Sequence, residues 1–321
     1  MKTAIVYDRV NKWGGAERVL LALHEIFPDA PLYTSVYDPI GAPWAKVFPK
    51  IKTSFLQKFP FARSNHELLA PLMPLAFESF DLTKFDLVIS VLIAPFVDYL
   101  RKWDKVASSR PDKIIAISSE VKNRIKKYYG RESEIIFPPV NTSMIRINRV
   151  NERKHYLVVS RLVSYKKVDL VIEAFNKLGY PLVIVGTGRE EKKLKRKARN
   201  NIKFAGQVSE KDLTMYYTNA KALIMPQEED FGIVAVEAQS FGVPVIAYKK
   251  GGTLDTVVNG VTGLFFEKQT FKPLEKAIKY FNDLNHRSIK PRDCIENASK
   301  FSKERFKREF VDFVKNARMS L

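Results

Sequence analysis

Short apolar runs alternate with amphipathic stretches along the chain, and that alternation narrows the fold more than any other feature. Residues 3–7 read as a buried strand, and 16–27 as a helix with Val19, Leu20, Leu23 and Phe27 at helical spacing. Residues 32–37 are predicted as a second strand. Residues 62–80 are mostly helical, kinked or broken by Pro71 and Pro74. Strands follow at 87–91 and 113–117, then a basic helix at 120–129 closed by Gly130, then an extended piece at 135–137 ending in Pro138-Pro139. A second series then begins. Strands are predicted at 156–160, 182–185, 202–205, 222–225, 243–247 and 264–266, and helices at 168–178, 190–199, 210–219, 233–241, 273–284 and 302–318.

Two βαβ series joined by a Pro-containing extended segment imply an α/β chain with two doubly wound, Rossmann-like parallel sheets. The length of 321 residues suits two domains. The expected division is a first domain over 1–150, a second over 151–300 and a terminal helical segment over 301–321, with the hinge around 140–154. Ligands of such sheets bind beyond the carboxyl ends of the strands, so two facing domains would enclose one cleft.

Composition excludes several classes. With 45% apolar and 28% charged residues the chain is globular in type, not disordered. The single cysteine, Cys294, rules out an internal disulfide and fits a reducing compartment. The apolar run 4–7 is shorter than a signal peptide core, and no stretch reaches the length of a membrane helix. A cytoplasmic location is therefore expected, and the sequons at Asn141 and Asn297 read as chance matches. Lys and Arg number 54 against 35 Asp and Glu, a net charge of +19. The basic runs at 122–127 and 192–197 read first as solvated helix faces and second as contacts to an acidic lipid leaflet on which the protein would sit peripherally. Nucleic acid ranks last, because no helix-turn-helix, zinc-finger or RNP pattern accompanies the charge. His24, His66, His155 and His286 show no metal-ligand spacing, and no Walker loop or Gly-x-Ser-x-Gly elbow is present.

Three clusters carry chemistry. Gly14-Gly15 follows the first strand and opens the first helix, where free N–H groups suit a phosphate; a Gly pair also serves a plain βα turn. It is not a GxGxxG fingerprint, which argues against a nicotinamide-dependent oxidoreductase. Arg161, at the end of the strand 156–160, and Lys166, five residues on, can reach one place and hold a diphosphate; surface charge is the competing reading. The run Glu228-Glu229-Asp230-Phe231-Gly232 enters the helix 233–241, where Gly232 can offer an amide and Glu229 and Glu237 can accept from sugar hydroxyls. Complementing the helix dipole would explain residues 228–230 but not Glu237.

Together these motifs resemble the retaining glycosyltransferase family 4, of GT-B fold. The matching pieces are Gly14-Gly15-Ala16-Glu17, Pro138-Pro139-Val140-Asn141-Thr142, Ser160-Arg161-Leu162 with Lys166, Val185-Gly186-Thr187-Gly188, Gly206-Gln207-Val208, Glu229-Asp230-Phe231-Gly232 leading to Glu237-Ala238, and Gly242-Val243-Pro244-Val245. The resemblance implies a donor site built from Gly14, Gly15, Gly186, Val208, Phe231, Gly232, Ile233 and Glu237. It implies catalytic roles for Arg161, Lys166 and Glu229, with no metal and no cofactor. The donor is expected to be of GDP-mannose or UDP-glucose type, the acceptor a glycan or a lipid-linked sugar, and attack to come from the front face with help from a donor phosphate oxygen. The terminal segment resembles the family helix that crosses back to the first domain. One departure matters: relatives usually follow the strand at 85–91 with a further helix, another strand and a His-Thr-Pro-like loop, whereas here Ser90-Val91 runs straight into the apolar residues 92–97. The first domain is shortened there, so the second reading of the chain is a truncated relative that binds nucleotide sugar with weak or no turnover.

Overall fold

Parallel pairing organises the whole chain. The computed structural model describes residues 1–63, 66–91, 98–142, 153–283 and 289–319. The first sheet contains β1 (Thr3–Tyr7), β2 (Leu32–Thr34), β3 (Ile51–Thr53) and β4 (Leu87–Val91), in the order β3-β2-β1-β4 and all parallel. Helix α1 (Gly15–Ile26) leads from β1 towards β2, α2 (Met73–Glu78) precedes β4, and α3 (Asp98–Ala107) follows it. All of β1 is buried, whereas β4 ends the described sheet and exposes Val88 and Ser90 at alternate positions. The apolar junction at 92–97, and most of the expected hinge at 140–154, lie outside the described residues.

A short parallel pair, β5 (Ile115–Ala116) with β6 (Glu134–Ile135), brackets α4 (Ser119–Tyr129). The larger sheet then follows: β7 (His155–Val159), β8 (Leu182–Val185), β9 (Ile202–Gly206), β10 (Ala220–Met225), β11 (Val245–Tyr248) and β12 (Gly263–Phe266). Its order is β12-β11-β10-β7-β8-β9, again parallel throughout. Its helices are α5 (Val168–Leu178), α6 (Glu191–Lys197), α7 (Glu210–Thr218), α8 (Ile233–Ser240), α9 (Thr253–Thr256), α10 (Phe271–Asp283) and α11 (Pro291–Ser299), and α12 (Lys303–Met319) ends the chain.

The larger sheet is apolar on both faces because both are covered. Tyr156, Val158, Ile184 and Ile224 pack with Val171 and Phe175 of α5 and Ile278 and Phe281 of α10. The alternate residues Leu157, Val183, Val185 and Leu223 pack with Ala235 and Ala238 of α8. Burying a side chain such as Phe175 is worth about 2–3 kcal/mol. Helix α5 stops where the sequence says it should: Gly179 takes φ +71 and its N–H bonds Phe175 O at 2.9 Å. Cys294 is buried in the same core, and burial pushes its thiol up to about 12, so it stays protonated and inert.

The fold divides into two compact units, one of residues 1–114, 125–133 and 307–321, the other of 115–124 and 134–306. The division expected at residue 150 therefore falls inside the second unit. Hydrogen bonds give the reason. Ser119 donates from its N–H and its hydroxyl to Asp255 at 2.8 and 2.6 Å, Arg124 pairs with Asp230, and Val140 N–H bonds Phe301 O at 2.9 Å. The later turns of α12 belong to the first unit, where Lys307 pairs with Glu25 and Phe310 meets Phe27 edge-on at 6.4 Å.

Candidate functional site

In the second sheet the strand order reverses between β7 and β10, so the segments leaving those two strands emerge side by side. After β7 the chain runs through Ser160–Val163, makes a 3-10 turn at Ser164–Lys166, and enters α5 through Lys167, held at φ +54. After β10 it runs from Pro226 to Phe231 and enters α8 through Gly232, held at φ +84. Lys166 Nζ and Glu229 Oε1 form an ion pair between these loops, and Gln227 Nε2 donates to the same oxygen at 2.7 Å. The two charged side chains are only 13% and 24% exposed. Arg161 is exposed, donates to Tyr165 Oη at 2.5 Å, and shares that ring with Lys166, whose Nζ lies 5.2 Å from its centroid. A hollow of about 380 Å³ is lined by Ser164, Tyr165 and Lys167 around Lys166, by Glu228 next to Glu229, and by Gln269, whose Nε2 donates to Pro226 O at 2.8 Å. Two cations and an aligned carboxylate at a strand-end switch point form an arrangement that can neutralise a diphosphate and hold a hydroxylated ring.

The glycines around the loops act by their lack of a side chain. A Cβ on Gly186, at φ +127, would stand 2.0 Å from Ser160 O, and one on Gly188 2.3 Å from Leu162 O, so both glycines let the turn after β8 press against the Arg161 segment. Phe231 is buried, stacked on Phe137 at 5.9 Å and edge-on to Phe301 at 5.6 Å, so its side chain anchors the loop and only its backbone can face a ligand. Ile233 packs partly into the same cluster, and Val208 packs partly against the core under α8. Glu237, on the second turn of α8, accepts from Tyr217 Oη at 3.1 Å. The structure thus joins Arg161, Lys166, Glu229 and Gly232 at one switch point, with Gly186 supporting them from β8 and Glu237 further along α8.

In the first unit, Gly14 caps α1 in an extended conformation and Gly15 opens the helix, with nothing within 4 Å of the position a Gly15 Cβ would take. Beneath the turn, buried Tyr7 donates to buried Glu17 at 2.8 Å, and burial followed by the Glu17 charge drives the phenol far above its ordinary range. Asp8, at the end of β1, is buried and its carboxyl is raised by that burial, with Arg9 and Lys12 opposing.

Several site residues escaped the sequence reading. Gln227 is buried and orients Glu229. Gly251-Gly252 underlies the same loop, with Gly252 N–H bonded to Glu229 O at 2.7 Å. Its signal was present: a Gly pair after a strand and before a helix, the pattern recognised at Gly14-Gly15. Ser119 with Asp255, and Arg124 with Asp230, tie α4 to this loop, and no local pattern announces contacts across more than a hundred residues. Among the described residues no group of three or more His, Cys, Asp or Glu is placed to hold a metal, and no helix is long and apolar enough to cross a membrane.

The profile of the family described as "Glycosyl transferases group 1" matches residues 141–301, half of the chain. The uncharacterized glycosyltransferase MJ1178 of Methanocaldococcus jannaschii is 30% identical over 213 residues, covering 64% of this chain and 60% of that protein. The capsular polysaccharide biosynthesis glycosyltransferase CapM of Staphylococcus aureus is 31% identical over 218 residues, covering 59% of this chain and 56% of CapM. The chain thus spans less than two thirds of the length of these curated relatives. In fold it is similar to Anabaena Alr3699/HepE, solved with UDP and glucose, at a TM-score of 0.80 and 18% identity over 98% of this chain and 100% of that one, and the fold is GT-B. With its switch-point loops inside the matched half, the chain belongs to the glycosyl transferases group 1 family.

Proposed function

We propose that this protein moves a hexose from a nucleotide-diphosphate sugar to a glycan or lipid-linked acceptor, with retention of anomeric configuration and without a metal. The observation that carries the reading is the Lys166–Glu229 pair at the switch point, held by Gln227 and flanked by Arg161. An ammonium has three donors, so Lys166 can keep Glu229 and still bind phosphate oxygens. Arg161 adds a planar fork for the diphosphate. Glu229 engages Lys166 and Gln227 through one oxygen and offers the other to a sugar hydroxyl. Glu237 is assigned to the ribose, the Gly232 and Ile233 amides to the donor, and Gly14-Gly15 to phosphate.

In the reaction the bond from the anomeric carbon to the diphosphate oxygen breaks and a bond to the acceptor oxygen forms on the same face. The acceptor proton passes to a donor phosphate oxygen, and the nucleoside diphosphate leaves. Arg161 and Lys166 stabilise the negative charge that grows on the leaving group, a kind of stabilisation worth about a hundredfold or more in rate per group. The ligands of the Anabaena protein, UDP and glucose, support a hexose donor. The sequence resemblance favours GDP-mannose first and UDP-glucose next.

The test is a thermal-shift panel of GDP-, UDP- and ADP-sugars, followed by mass spectrometry of products with a glycan and a lipid-linked acceptor. One donor class is expected to raise the melting temperature and yield a product one hexose heavier. No shift with any sugar nucleotide would end the proposal.

A further inference from the structure

The first unit presents a surface that is both apolar and basic. Because β1, β2 and β3 are adjacent and parallel, the segments after them leave the sheet in a row at their carboxyl ends. Hydrogen bonds stitch these segments together. Asp38 N–H bonds Val10 O at 2.8 Å, Trp44 Nε1 donates to Lys12 O at 2.9 Å, and Gln57 exchanges bonds with the Tyr37 backbone at 2.8 and 3.1 Å. The indoles of Trp13 and Trp44 meet edge-on at 6.0 Å, and the rings of Phe55 and Phe59 at 6.4 Å.

On this framework Trp13, Ile40, Val47, Phe55, Phe59 and Phe61 are exposed, Ile40 to 88% and Phe61 to 74%. Phe61 also holds φ +64. A bulky residue is strained there, and a site that needed only a turn would suit Gly or Asn. From Pro39 to Arg63 the chain has four lysines, one arginine and no Asp or Glu. Lys46, Lys58 and Arg63 are exposed along these segments, whereas Lys50 precedes β3 at the amino ends of the strands and does not belong to this face.

We propose that this face, built by the segments after β1, β2 and β3, docks on an anionic lipid surface. Exposed aromatic and aliphatic side chains beside cations such as Lys46, Lys58 and Arg63, which pair with no carboxylate among the described residues, are what the boundary between acyl chains and acidic headgroups accepts. The two basic runs singled out in the sequence fit less well. In α6, Lys193 and Lys195 pair with Glu190 and Glu191 while Leu194 is buried, so charge is present without an apolar side chain to insert. In α4, Lys126 pairs with Glu132 and Arg124 with Asp230. The face lies at the same strand ends as Gly14-Gly15, so it would bring a lipid-linked acceptor to that end of the unit. Only this purpose rests on the proposed transfer; the docking is independent of it.

The test is co-sedimentation of the full chain with phosphatidylcholine vesicles, with and without about one third phosphatidylglycerol. No donor or acceptor is added. The protein is expected to bind the anionic vesicles and to be released by salt. The pair Phe59→Ser with Phe61→Asn, and separately Lys46→Glu with Lys58→Glu, are each expected to weaken binding at least about tenfold. Lys192→Glu with Arg196→Glu on α6 is expected to stay within about twofold. Melting temperatures establish that the variants fold, and should the aromatic pair not fold, the lysine pair decides. The proposal is overturned if the wild type stays in the supernatant, binds neutral vesicles equally well, or loses binding mainly through the α6 change. It is equally overturned if the face variants convert a dimer to a monomer in ultracentrifugation while vesicle binding is unchanged. Vesicle binding without any sugar transfer would overturn the proposed function and leave this inference standing.

Discussion

The turns at Gly14-Gly15 and Gly251-Gly252 read alike, each a glycine pair between a strand and a helix, and the structure gives them opposite reasons. A Cβ on Gly15 would meet nothing within 4 Å. A Cβ on Gly252 would stand 2.3 Å from Phe231 Cα, and one on Gly251, at φ +74, 2.4 Å from Glu229 O. At the first pair Gly15 is open, and a Cβ on Gly14 would meet a side chain alone, the Glu17 carboxylate at 3.0 Å. The second is closed by the loop it supports and shapes the backbone at Glu229. A glycine pair between a strand and a helix therefore does not by itself tell an open turn from one filled by another backbone segment.

The largest effect that tests this contrast is expected from Gly252→Ala. The added methyl must push apart two backbone segments, so urea denaturation should show a loss of about 2–3 kcal/mol, with donor turnover falling because the Glu229 loop shifts. An unchanged unfolding free energy would mean the two turns are not different in kind. Gly15→Ala should do the reverse. The helix gains about 0.5–1 kcal/mol from a better first residue, while donor turnover drops about tenfold as phosphate contact is crowded. Turnover at the wild-type level would reduce Gly14-Gly15 to a plain βα turn.

The smallest effect concerns the acids beside the two turns. Glu229 has Lys166 and Gln227 for company, whereas Asp8 is buried and its carboxyl is raised by that burial, against Arg9 and Lys12. The folded state holds the Asp8 proton longer than the unfolded chain does. Stability should therefore fall as pH rises from the ordinary carboxylate value through the raised one, then level off. Asp8→Asn should raise the melting temperature slightly at neutral pH, and the gain should vanish below the ordinary carboxylate range. A gain that persists in acid would point to packing instead.

Much of the fold was legible because burial on both faces writes continuous apolar runs, as in β8, and because stop signals such as Gly179 act locally. The short strand β3 and helix α3 were missed: Ile51–Thr53 is three residues of intermediate burial, and Asp98–Ala107 does open on a start residue, Asp98, but the apolar stretch 92–97 before it masks that signal. That Lys166 and Glu229 could meet was legible from their strand-end positions, while charge type alone left Glu229 open between a binding role and a complement to the helix dipole. Gln227 was not legible, since a buried amide has no pattern of its own. The placement of 115–124 in the second unit depends on Ser119 and Asp255, which lie 136 residues apart, and periodicity carries no such information.

The central claim is that Lys166 and Glu229 hold the donor. Titration calorimetry with the sugar nucleotide that shifts the melting temperature, on wild type, Lys166→Met and Glu229→Gln, tests it most directly. Both variants are expected to fold, with affinity down about tenfold or more. Wild-type affinity in both variants would contradict the claim.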